Sequence, residues 1–137
     1  MTTTIRIAAA LLIGGDGQTL LVRKRGTQAF MQPGGKIDAG EQPVQALARE
    51  LYEELTLQID PGAAVYLGRF SAPAANEPGF TVQAELFQVH IDVPVSPAAE
   101  IEEVRWIDPA GDGGLALAPL TRDLILPFYR ESLASTV

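Results

Sequence analysis

Arg49-Glu50-Leu51-Tyr52-Glu53-Glu54 places three carboxylates and one guanidinium in a single short run. At roughly 100° per helical residue, Glu50, Glu53 and Glu54 fall within an arc of roughly 100°. Like charges at that spacing repel, destabilising a helix by roughly a few tenths of a kcal/mol per pair. A hard dication removes the repulsion. Mg²⁺ accepts carboxylate oxygens and keeps several waters that a phosphate can displace. Arg49 can orient Glu50 or Glu53 by charge-assisted hydrogen bonding. Together these residues suit attack of water on a phosphate anhydride, a reaction in which charge neutralisation and positioning are most of what a protein supplies. A solvated acidic face has the same pattern, and that alternative predicts only weak screening when Mg²⁺ is added.

The elements around the run must aim it. Val44, Leu47, Ala48, Leu51 and Leu55 fill the adjoining sector of the same helix and should face a core. Pro43 suits the first helical position, and Glu41 is favoured by the positive helix end, although Gln42 is a mediocre N-cap. In front of the helix, Gly34-Gly35 are expected to turn the backbone tightly, with a further turn at Gly40.

Gly35, Glu41, Arg49, Glu50, Leu51, Glu53 and Glu54 match a longer signature in type and spacing. It reads Gly, five residues, Glu, seven residues, then Arg-Glu-aliphatic-x-Glu-Glu-x-Gly-aliphatic. In this the chain resembles the Nudix hydrolases, and 31–36, Met-Gln-Pro-Gly-Gly-Lys, looks like the usual lead-in. The chain departs once, with Thr56 where the family has Gly, before Leu57. A β-branched residue tolerates a left-handed helix end poorly, so the helix is expected to end differently there. The resemblance implies a Nudix-type α/β/α sandwich around a central mixed β-sheet. It also implies hydrolysis of a nucleoside diphosphate linked to another group, with Mg²⁺ or Mn²⁺. On it, Glu50, Glu53, Glu54 and the Gly35 carbonyl become metal ligands and Glu41 a supporting residue behind them. Glu50 is the first choice to take the water's proton, with Glu100 or Glu103 as a rival auxiliary carboxylate. Nucleoside triphosphates or nucleotide sugars lead as substrates; ADP-ribose-type compounds, dinucleoside polyphosphates and a nucleotide sensor without catalysis stay open. So does the choice between monomer and homodimer.

At 137 residues the chain reads as one domain, and its net charge of −7 argues against general nucleic-acid binding, which needs a basic patch. Cysteine is absent, which excludes disulfides and thiolate metal sites. The apolar run near the N-terminus is too short for a membrane span and lacks the pattern of a signal peptide, so the cytoplasm is the expected location.

Strands are expected at 5–13 (covered on both faces), 19–24, 65–70, 80–93 and 100–107, with a β-bulge near Leu86-Phe87 where the hydrophobic phase slips. A last helix is expected from Thr121 as N-cap, kinked or split by Pro127. Arg23 and Arg25 share one side of the second strand and, with Lys36, are candidate phosphate contacts. Phe30 is a candidate for stacking on a base or for plugging its loop onto the core. His90, without a second soft ligand nearby, reads as a strand-surface residue.

Overall fold

The computed structural model describes residues 3–134. Its centre is β1 (Thr3–Ile13), which pairs in parallel with β5 (Phe80–His90) along its whole length. β4 (Val65–Pro73) lies antiparallel outside β5. On the other side β2 (Thr19–Lys24) meets β1 through Ile13 and Thr19 and then diverges to pair antiparallel with β6 (Ile101–Ile107). The split is filled by β3 (Gly34–Lys36), opposite Ile7, Ala8 and Ala9 of β1, and by Met31, bridged to Val22. The result is a mixed six-stranded sheet.

Both faces are covered because β1 is apolar in both phases. Ala8, Ala10 and Leu12 pack beneath α1 (Pro43–Leu55), against Ala46, Leu47, Leu51 and Leu55. Ala9, Leu11 and Ile13 pack on the other face with Leu120, Ile125 and Tyr129. The three leucines of α1 have no exposed surface, and each buried leucine is worth roughly 1.5–3 kcal/mol. This is the expected α/β/α arrangement.

Several details differ from the sequence expectations, starting with β5, which ends at His90 rather than at 93. β5 carries no bulge: Val82, Ala84 and Leu86 face one layer while Phe87 and Val89 face the other, so two buried faces imitate a phase slip. The irregularity lies opposite, in β4 between Tyr66 and Gly68. β4 also runs on to Pro73, into a stretch that reads as loop. Gly34 and Gly35 form a short strand rather than a turn. A Cβ on Gly34 would lie 2.1 Å from the Ala8 carbonyl oxygen, so close backbone approach is what requires glycine there. Finally, Thr121 is not an N-cap. Helical backbone already exists at 119–120, and Thr121–Ile125 forms a π-turn, closed by the Leu126 N–H to the Thr121 carbonyl, ahead of α2 (Leu126–Ala134). Pro127, which lacks an N–H and crowds the preceding turn, explains the widening.

α1 starts on Pro43, with the Gln45 side chain accepting from the Gln42 N–H at 3.0 Å. It ends where the family's glycine would end it. Thr56 takes the left-handed backbone at φ 54, its N–H bonded to the Tyr52 carbonyl at 3.0 Å and its hydroxyl to the Ser96 carbonyl at 3.3 Å. The expected altered helix end is therefore absent; Thr56 bears a local strain of roughly 1–2 kcal/mol instead.

Candidate active site

β3 lies in the split between β1 and β2, beside α1, and this brings the glycines to the carboxylates. Glu54 is 3% exposed, and its Oε1 accepts from the Gly34 N–H at 3.2 Å. Burial is the main force on its carboxyl, which rises from 4.5 to about 7 against the Gly34 hydrogen bond and the charge of Lys24. Glu50 is half-buried against Gly35, where a Cβ would lie 2.4 Å from its Cδ. Desolvation also raises the Glu50 carboxyl, opposed first by its hydrogen bond to Arg49. Glu53 is more open, with its Oε2 3.6 Å from Arg49 Nη1.

Arg49 is the hub. Its Nε and Nη2 grip both oxygens of Glu41 at 2.9 and 3.0 Å, Nη1 reaches Glu50 at 2.8 Å, and Nη2 also reaches the Lys36 carbonyl at 3.1 Å. The Glu41 carboxyl is held down to about 2, by Arg49 first and then by the Asp38 N–H, and in turn it raises the guanidinium's affinity for its proton. Glu41 thus acts by fixing Arg49 between the β3 turn and α1.

Among the described residues no three acidic or histidine side chains already converge as a metal cage. The donor set nevertheless fits a hard cation: two carboxylates whose charge is disfavoured by burial, a third on the same helix, and a Gly35 backbone lying against Glu50 with no Cβ between them.

A cavity adjoins Glu54. Gly34, Gly35, Lys24 and Lys36 line it near the glutamate, Pro73 and 74–77 edge it, and Ile5, Ile7, Val22 and Met31 make part of its apolar wall. Lys36 is where the sequence places it. Arg23 and Arg25 are not: neither lines the cavity, whereas Lys24 between them does. The cause is plain strand alternation: Lys24 shares the face of β2 that carries Leu20 and Val22 under α1, and Arg23 and Arg25 lie in the other phase. Arg23 binds the Thr27 carbonyl at 2.9 Å and Glu103 at 3.4 Å, and Arg25 pairs with Glu102 at 3.3 Å. Of the two roles open to Phe30, the structure has the second. Its ring is a plug, 5% exposed, packed with Leu21, Ile107 and Leu126, and unavailable to a base. Of the auxiliary carboxylates, Glu103 is held by Arg105 and Arg23, which lower its carboxyl. Glu100 lies 3.5 Å from Lys24. His90 is exposed, as expected, and contacts the Gln88 amide. The sequence reading missed Lys24, Gln32 and Thr121; the Arg-Lys-Arg run flagged the first, and nothing in pattern alone flags the other two.

Known proteins place this geometry. The chain is 36% identical over 109 residues to an octanoyltransferase of Myxococcus xanthus, covering 77% of this chain and 30% of that protein. It is 47% identical over 55 residues to an 8-oxo-dGTP diphosphatase of Haemophilus influenzae, covering 37% of this chain and 40% of that one. The chain thus spans less than half the length of either relative. A MutT protein from Methanosarcina mazei Go1 superposes with a TM-score of 0.78 over 96% of both chains at 20% identity, a likeness of fold. The NUDIX domain model matches residues 3–112, a span that holds the whole of β1 to β6 and α1, and the chain belongs to that family.

Proposed function

We propose that the protein hydrolyses the diphosphate bond of a nucleoside diphosphate linked to another group, with nucleoside triphosphates and nucleotide sugars as the leading substrates. The observation that carries this is Glu54: a buried carboxylate at the edge of a largely apolar cavity, its charge disfavoured where the family signature concentrates acid. Such a group is stable in its charged form beside a cation, and the apolar space next to it suits a base or other organic group. The likeness to a diphosphatase over 55 residues supports the same reading.

Glu50, Glu53, Glu54 and the Gly35 carbonyl would hold Mg²⁺ or Mn²⁺, which when bound neutralises anhydride oxygens and acidifies a water. Lys24 and Lys36 meet the phosphates from the cavity wall. Glu50 takes the water's proton: burial has raised its basicity, and Arg49 fixes its orientation. Glu103 is the poorer base because two arginines already stabilise its charge. Among the described residues no helix is long and apolar enough to cross a membrane.

A hydrolysis screen with Mg²⁺ and with Mn²⁺, across nucleoside triphosphates, nucleotide sugars, ADP-ribose-like compounds and dinucleoside polyphosphates, tests the proposal. Glu53→Gln is expected to lower divalent-dependent turnover by orders of magnitude with an unchanged circular dichroism spectrum. Turnover equal to that of the parent protein refutes the ligand assignment.

A further inference from the structure

Glu54 is not the only buried polar group on the cavity wall. Gln32, 7% exposed, and Thr121, fully buried, both line it. They come from distant parts of the chain, Gln32 from the segment before β3 and Thr121 from the π-turn. The Thr121 hydroxyl donates to Gln32 Oε1 at 2.7 Å. Gln32 Nε2, with two N–H donors, is the buried side-chain atom left without a partner among the described residues. Leaving such a donor unpaired is unfavourable enough that folded proteins satisfy nearly all of them. Thr121 engages the oxygen and so leaves the nitrogen for whatever enters. Around the pair the wall is apolar, with Ile7, Ala9, Val82 and Leu120. An apolar wall with an unpaired amide donor suits a heterocycle that carries a carbonyl oxygen or ring nitrogen.

We propose that the Gln32 amide, oriented by Thr121, is a specificity-determining donor that reads an acceptor on the nucleotide's base. This rests on the proposed function in taking the ligand to be a nucleotide. A pocket that supplies a hydrogen bond discriminates strongly, because a ligand lacking the matching group leaves the buried donor unpaired.

The test uses Gln32→Leu, Gln32→Glu and the apolar double variant Gln32→Leu with Thr121→Val, which removes both partners and so keeps the fold. Each is assayed with Mg²⁺ on the four common nucleoside triphosphates and on abasic ribose 5′-triphosphate. For the preferred nucleotide, Gln32→Leu and the double variant are expected to lose about 10- to 100-fold in kcat/KM, chiefly through KM. Abasic hydrolysis is retained and the preference among bases flattens. Gln32→Glu, an acceptor when ionised, shifts preference toward bases with an amino group. A parallel fall for nucleotides and the abasic compound assigns Gln32 a structural role and overturns the proposal. An unchanged base preference does so too, since a buried water then satisfies Nε2. If the parent protein hydrolyses none of these compounds, its substrate lies outside the triphosphates, the four-class screen decides the proposed function, and binding decides this inference separately. Without metal, the Gln32 side-chain N–H resonances are then expected to shift on titration with a nucleoside monophosphate and not with ribose 5-phosphate; no difference between the two overturns it.

Discussion

Glu54→Gln separates the stability of the site from its chemistry. Burial raises the Glu54 carboxyl from 4.5 to about 7, so between those values the folded chain holds a proton that the unfolded chain has released. The group's contribution to stability is therefore complete below about pH 4.5 and is lost as pH rises through about 7. At about 1.4 kcal/mol per pH unit, that interval corresponds to roughly 3 kcal/mol at pH 8. Glutamine keeps an acceptor for the Gly34 N–H and never ionises. Without divalent cations at pH 8, Glu54→Gln should be the more stable protein by roughly 2–3 kcal/mol, or roughly 6–12 °C in Tm for a domain of this size. At pH 5 the gap should shrink to about 1 kcal/mol or less, because little of the parent carboxyl is then ionised. Urea unfolding of both proteins at the two pH values measures this directly, with the variant cancelling all other titrating groups. Mg²⁺ at pH 8 should raise the parent's midpoint and leave the variant's nearly still, and the variant should have lost divalent-dependent turnover. A variant less stable than its parent at pH 8, or a gap independent of pH, refutes the account of Glu54 as a carboxylate buried at an energetic penalty.

The two other predictions concern backbone. Gly35→Ala sets a Cβ 2.4 Å from Glu50 Cδ, so the carboxylate must move; divalent-dependent turnover should fall at least about 10-fold while circular dichroism is unchanged, and parental kinetics would remove Gly35 from the site. Thr56→Gly relieves the left-handed φ of 54 and should raise unfolding free energy by up to about 1 kcal/mol, less whatever the hydroxyl bond to Ser96 contributes; a clear loss in urea would mean that the hydroxyl outweighs the strain.

The framework was legible in the sequence because it rests on periodicity. β1 is apolar in both phases and α1 carries its leucines at helical spacing, so the layers follow from composition along each element. The acidic helix and Gly35 were legible for a different reason: the signature fixes which residue types meet across the turn. What was not legible depends on contacts between distant segments. Arg23 and Arg25 share one side of β2, but which side meets the cavity is set by α1 packing over Leu20 and Val22, and that is the side of Lys24. Phe30 was split between two roles that only packing against Leu126 could separate. Thr121 has the residue type of a cap, yet its partner is Gln32, 89 positions away, and no local pattern encodes that pairing.

Arg49 decides which carboxylates are left for a cation. One guanidinium faces Glu41, Glu50 and Glu53, with Asp38 at 3.4 Å as well, and it cannot neutralise them all. Its two-pronged grip goes to Glu41, which also takes the Asp38 N–H, so that carboxylate's charge is stabilised without a metal. Glu50 receives a single arginine contact and remains net disfavoured as an anion, because desolvation outweighs the bond. Glu54 is not among Arg49's partners and relies on one backbone N–H and the charge of Lys24. Unmet negative charge therefore rises from Glu41 to Glu50, whose side chains are equally exposed but differently partnered, and is greatest at Glu54, the buried one that lines the cavity. Were the acidic helix only a solvated surface, its carboxylates would be exposed and their charges satisfied by water. Here the most buried glutamate is the one with the least compensation, which is the arrangement a bound dication would relieve.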